Sequence, residues 1–123
     1  MTREVITVDL YQSMDEILGV LLQNGIGGAP VVDENGRAIG IVSTLDLITA
    51  GGLGMLESQL VDLPPQLSAQ KPILYVSPTD PVKRALMQIV THRVGRVMVI
   101  DEDGRLAGIV SRTDLMRYYA DQI

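Results

Sequence analysis

The sequence predicts an α/β fold built twice, and three observations carry that expectation. A 17-residue phrase, VVDENGRAIGIVSTLDL at residues 31–47, returns at 99–115 as VIDEDGRLAGIVSRTDL, with 11 identical positions at a constant offset of 68. Helical periodicity returns with it: Met14, Ile17, Leu18, Leu21 and Leu22 form an i, i+3, i+4, i+7, i+8 stripe, and Val82, Ala85, Leu86, Ile89 and Val90 repeat it one offset later. Ahead of each stripe stands a short β-rich run, Val5-Ile6-Thr7-Val8 and Ile73-Leu74-Tyr75-Val76. Each unit therefore reads strand, helix, hairpin, helix.

Local signals place the elements in order. Ser13-Met14-Asp15-Glu16 fits a capping box at the start of the first helix, whereas Asp80-Pro81 sets a cap residue before a proline at the start of its counterpart. Asp33-Glu34-Asn35-Gly36 and Asp101-Glu102-Asp103-Gly104 then separate paired apolar runs, the signature of a hairpin whose glycine turns left-handed. Their carboxylates are too few and too local for a twelve-residue calcium loop. The layout is repeat one over 1–50, a connector over 51–70 and repeat two over 71–123. The connector opens with Gly51-Gly52-Leu53-Gly54, a helix stop, and contains Pro64-Pro65. Met55, Leu56, Leu60 and Leu63 recur at near-helical spacing, which predicts a short helix over roughly 55–63, covering core or acting as a lid.

Composition bounds the function. A chain of 123 residues makes one compact module, but a repeat of half that length has little core alone, so the two are expected to pack on each other. Ten basic against 15 acidic residues, a net charge of −5, oppose non-specific binding to nucleic acid or anionic membrane. With no Cys and one His there is no disulfide scaffold and no Cys/His zinc site. No apolar run reaches the ~18 residues of a membrane span, so a cytoplasmic protein is expected. No phosphate loop with its lysine, oriented nucleophile or metal cage is present, so an enzyme and a catalytic cofactor are not expected. His92, the lone histidine, falls at a helix end without a paired acid at motif spacing.

The phrase after each hairpin admits two readings. Gly40-Ile41-Val42-Ser43-Thr44-Leu45-Asp46 and Gly108-Ile109-Val110-Ser111-Arg112-Thr113-Asp114 run from strand into helix, and S-x-x-D is the spacing of a capping box. The same junction offers free N–H groups and a positive dipole end to a phosphate, and its carboxylate can accept from a ribose diol. Tyr75 is either packing or a stacking surface for a base.

At these residues the sequence resembles the cystathionine-beta-synthase (CBS) domain pair, or Bateman module, over nearly its whole length. The resemblance rests on the duplicated V-V/I-D-E-x-G-R-x-x-G-I-V-S-x-x-D-L phrase, preceded in both copies by a strand and helix. It implies two tandem β-α-β-β-α units packed through their sheets with pseudo-twofold symmetry, leaving two clefts. In members that bind adenosine compounds, the Asp of this phrase holds the ribose, the Ser or Thr approaches phosphate, and the opening strand meets the base. Carried over, one site uses Asp46, Ser43 and the strand Ile6, Thr7, Val8; the other uses Asp114, Ser111 and the strand Leu74, Tyr75, Val76.

Repeat two adds Arg112 inside the phrase and Arg93 or Arg96 after its first helix, where repeat one has Thr44, Gly25 and Gly28, so the Asp114 site is the better one for a phosphorylated ligand. The resemblance thus implies a regulatory module sensing AMP, ADP, ATP or S-adenosylmethionine and acting on its own dimer or an attached effector. The alternatives are a structural or dimerisation module without nucleotide, and a divalent-cation sensor. A homodimer is expected from apolar helical residues beyond a small core's need, Leu45, Leu47, Ile48, Leu115 and Met116.

Overall fold

A computed structural model describes residues 4–63 and 74–123. Pro64-Pro65, Lys71 and Ile73, on which parts of the connector and the second opening strand were expected, lie outside the described residues. The chain folds as two compact units, one of residues 6–73 and one of residues 74–123 with which the residues before Ile6 are grouped.

The first unit begins with a single bridge in place of the expected strand. The Val8 N–H donates to Pro30 O and Val8 O accepts from Val32 N–H, both at 3.0 Å, so Val8 lies parallel to Val31. Helix α1 (Met14–Asn24) follows, and Ser13 Oγ accepts from the Glu16 N–H, which is one half of the expected capping box; the Glu16 carboxylate accepts from the Ser13 hydroxyl in place of the backbone N–H. Gly25 ends it in a left-handed conformation at φ 60°. Strands β1 (Gly28–Val32) and β2 (Ala38–Ser43) pair antiparallel with a bulge at Val31/Val32, and helix α2 (Thr44–Gly52) leaves β2 directly.

The second unit repeats the order. Strand β3 (Tyr75–Val76) lies parallel to β4 (Arg96–Ile100), which pairs antiparallel with β5 (Leu106–Ser111), and helices α3 (Val82–His92) and α4 (Arg112–Ala120) complete it. Helix α3 starts one residue later than its signal predicts. Pro81 is extended and occupies the cap position, while Asp80 Oδ2 accepts from the Ser77 N–H at 2.8 Å and closes the preceding turn. In both hairpins the first Asp accepts from the two amides that the turn leaves inward, and Gly36 and Gly104 take φ 80° and 81°.

Each unit has its own apolar core. Met14, Ile17, Val31, Val42, Leu47 and Leu60 are buried in the first, and Val76, Ala85, Ile89, Val97, Val99 and Leu115 in the second. The expected connector helix is confined to a 3-10 turn at Leu60–Asp62. The chain before it runs through turns and is tied to the start of α1 and the residues before it: the Met14 N–H donates to Ser58 O and the Asp15 N–H to Leu56 O, at 2.9 and 2.8 Å, while Leu60 N–H donates to Gln12 O and Val61 N–H to Leu10 O. A helix N-terminus leaves its first amides without internal acceptors. Satisfying two of them with connector carbonyls outweighs the connector's own helical spacing, and Leu60 still reaches the core.

Candidate functional site

Both strand-to-helix junctions are built as the S-x-x-D spacing predicts. At the start of α4 the Ser111 N–H donates to Asp114 Oδ2 at 2.8 Å and the Asp114 N–H donates to Ser111 Oγ at 3.1 Å. At the start of α2 the corresponding distances are 2.8 and 3.4 Å, and the Ser43 hydroxyl adds a bond to Asp46 Oδ2. These are complete capping boxes. In repeat two the cap uses one carboxylate oxygen: Asp114 Oδ1 takes no donor among the described residues.

The register of the second sheet sorts the candidate residues. Paired residues on neighbouring strands point to the same face. Tyr75 pairs with Met98, Met98 with Ile109, and Arg96 with Ser111, so Tyr75, Arg96 and Ser111 share one face. Val76, Val97, Val99 and Val110 take the other face and pack toward the helices. Tyr75 is 54% exposed. Burial draws the Arg96 guanidinium below its usual pKa, because desolvation penalises the charged form. Leu74 is half-buried at the approach to β3.

Asp114 and Val76 come together at a cavity of about 220 Å³, with Ser77, Asp80 and Tyr118 on its walls. That is small beside the roughly 300–1,000 Å³ of a whole-ligand cleft, so it suits one part of a ligand. The S-x-x-D phrase does not point to Ser77 and Asp80. Aligning the repeats would have found them: they stand where repeat one has Asp9 and Gln12, and there too the later side chain accepts from the earlier amide.

Two other candidates lie apart from that cavity. Arg93 and Arg112 border a groove along α3 and α4, and Arg112 Nε donates to Val94 O at 3.1 Å, bracing the α3–β4 turn. In repeat one Ile6 and Thr7 are exposed and Val8 is buried. Thr7 and Val8 line a cavity of about 660 Å³ with Asp9, Tyr11 and Asp33, whose described walls do not include Ser43 or Asp46. Among the described residues no group of three or more His, Cys, Asp or Glu side chains could hold a metal ion, and no helix is long and apolar enough to cross a membrane.

The CBS-domain family model matches residues 1–52 and 66–121. The chain belongs to that family. A CBS domain-containing protein of Dictyostelium discoideum is 31% identical over 124 residues, covering 94% of this chain and 85% of its own length. A homoserine O-acetyltransferase of Methanococcoides burtonii is 30% identical over 117 residues, covering 95% of this chain. This chain spans only 22% of the acetyltransferase, so the activity in that name is not carried over. Among solved structures, CBSX2 in complex with AMP superposes with a TM-score of 0.82 at 27% identity, covering 98% of this chain and 93% of that one. The tandem α/β units are thus those of a CBS pair.

Proposed function

We propose that this CBS pair is a non-catalytic regulatory module of the cytoplasm that binds an adenosine compound through repeat two, with AMP the first ligand to test. The observation that carries the reading is the division of the Asp114 carboxylate. Oδ2 fixes the start of α4, while Oδ1 remains as an acceptor for a ribose hydroxyl. Val76 supplies apolar surface in the same cavity, while Tyr75, Arg96 and Ser111 offer a ring, a cation and a hydroxyl on the opposite face of the sheet, outside that cavity. The likeness to an AMP-bound CBS structure supports the choice of ligand.

The complete capping boxes favour a second reading, a structural module in which Asp114 only caps α4. Isothermal titration with AMP and adenosine separates the two. Binding by the native chain that weakens in Asp114→Asn supports the first, and no heat with either ligand supports the second.

We further propose that the chain self-associates through its helices. Leu47 and Leu115, expected as surplus, are buried in the cores, but Leu45, Ile48 and Met116 stand out, Ile48 being 71% and Met116 69% exposed. Sedimentation equilibrium at micromolar protein tests this, a dimer being the expected result and a monomer with and without AMP the opposing one.

A further inference from the structure

The chain has two asparagines, Asn24 and Asn35, and both are followed by glycine. Glycine carries no side chain to shield its backbone nitrogen, which can attack the carboxamide carbon of the asparagine before it. A bond forms from that nitrogen to Cγ, Nδ2 leaves as ammonia, and a succinimide ring closes. Water then opens the ring. Attack at Cγ breaks the new bond and gives aspartate, whereas attack at the main-chain carbonyl breaks the original peptide bond and gives isoaspartate, with the chain routed through Cγ. Water enters, ammonia leaves, and nothing is oxidised or reduced.

Both asparagines are exposed, so access does not separate them. Their hydrogen bonds do. Asn24 is the last residue of α1, where a side chain leans back toward the preceding turn, and its Nδ2 donates to Val20 O at 2.7 Å. The Gly25 N–H donates to Leu21 O and Leu22 O, and the Ile26 N–H donates to Leu21 O at 3.1 Å. The attacking nitrogen and the leaving group are thus held apart by the helix end. Asn35 stands in the β1–β2 turn, and its carboxamide has no hydrogen-bond partner among the described residues. There the Gly36 N–H donates to Asp33 O at 3.0 Å, and releasing it needs only local opening of the hairpin end.

Repeat two already carries the product. Its turn reads Asp101-Glu102-Asp103-Gly104, against Asp33-Glu34-Asn35-Gly36 in repeat one. The Asp103 N–H donates to Asp101 Oδ1 at 2.9 Å and the Gly104 N–H to Asp101 O at 3.0 Å, and Asn35 and Gly36 make the same two bonds at the same distances. Aspartate at 35 therefore fits the turn as built. Isoaspartate does not: it lengthens the main chain between the Asn35 and Arg37 amides that Asp33 Oδ1 holds, in a hairpin whose register its turn sets.

We propose that Asn35 is a site of spontaneous deamidation in the folded chain and that Asn24 is held against it. The turn of repeat one is then converted in part to the sequence of its counterpart. Conversion adds a negative charge next to Asp33 and Glu34, which line the larger cavity of repeat one.

The native chain is incubated in warm, mildly alkaline buffer with and without urea, then cut by a glutamate-specific protease. Cleavage after Glu16, Glu34 and Glu57 places Asn24 in peptide 17–34 and Asn35 in peptide 35–57, where it is the only amide side chain. Mass spectrometry follows the mass gain of deamidation in each peptide. Without urea the gain in 35–57 should outrun that in 17–34 by roughly tenfold, the factor that one further retained hydrogen bond is worth. In urea, where neither turn persists, the two rates should converge. Comparable native rates, or a faster one at Asn24, overturn the proposal, as does a native chain that stays unchanged at Asn35. Asn35→Gln should abolish the gain in 35–57, and its persistence would overturn the assignment. Asn35→Asp installs the product directly and should melt at the native temperature. A marked drop there would overturn the claim that repeat one accepts the turn of repeat two.

Discussion

The two repeats agree most closely where the backbone needs help and differ most where it does not. Asp33 and Asp101 each accept two turn amides at 2.9 Å, and Asp46 and Asp114 each accept their cap amide at 2.8 Å. Around those fixed points the side chains diverge. Tyr75 and Arg96 in repeat two answer to Thr7 and Gly28 in repeat one, and Arg93 holds the left-handed conformation that Gly25 holds without a side chain. The duplicated residues that build turns and caps serve the fold. The residues that differ place a ring and cations in repeat two where repeat one has threonine and glycine.

Four sets of substitutions break or sharpen that comparison. The largest effect is expected at Leu60, because repeat one closes its core with the connector: Leu60→Ala should lower stability in urea by about 2–5 kcal/mol, the usual cost of emptying a buried leucine site. A loss below that range would mean that the connector is not an essential wall of the first core.

Ligand binding comes next. Asp114→Asn keeps an oxygen for the Ser111 amide but loses charged acceptance, and should weaken AMP by about 1–3 kcal/mol in titration calorimetry with a smaller shift in melting temperature. Asp46→Asn should weaken AMP less, and the reverse order would move the primary site to repeat one. Arg96→Met should weaken AMP more than adenosine, by about 1–2 kcal/mol, without lowering the melting temperature, since it removes a desolvated charge.

The helix ends give a smaller, opposed pair. Gly25→Ala should destabilise by about 1 kcal/mol, because a Cβ is disfavoured at positive φ, while Arg93→Gly should stabilise by up to about the same amount. Equal signs in thermal melts would contradict the strain argument. Smallest is Arg112→Ala, which removes the exposed bond to Val94 O and should cost about 0.5 kcal/mol. AMP and adenosine should be affected alike. Selective loss of AMP would instead return Arg112 to the phosphate.

Much of this architecture was legible in the residues. The 3.6-residue stripes, the S-x-x-D caps and the D-x-x-G turns are local devices, each spelled by neighbours in sequence, and each element they announce is present. The connector departs from its own spacing because its fate is decided elsewhere: nothing within 55–63 records that Met14 and Asp15 need acceptors. Asp80 yields the cap position to Pro81 for a similar reason, since the Ser77 amide competes for its carboxylate. Within the candidate site, the pairing of Asp114 with Val76 followed from the family pattern. The separation of Arg112 from that cavity depends on which way α4 turns its first residue and on the carbonyl of Val94, and neither is written in the motif.

The connector carries a consequence in time. Amides in the first turn of a helix ordinarily exchange with solvent quickly, since no carbonyl of the same helix holds them. Met14 and Asp15 give theirs to Ser58 and Leu56, so they exchange with deuterium only when that segment lifts from the start of α1. Two amides near the beginning of the chain therefore act as a clock for an event forty residues downstream, and their exchange rate reports how often the first core loses Leu60 as its lid.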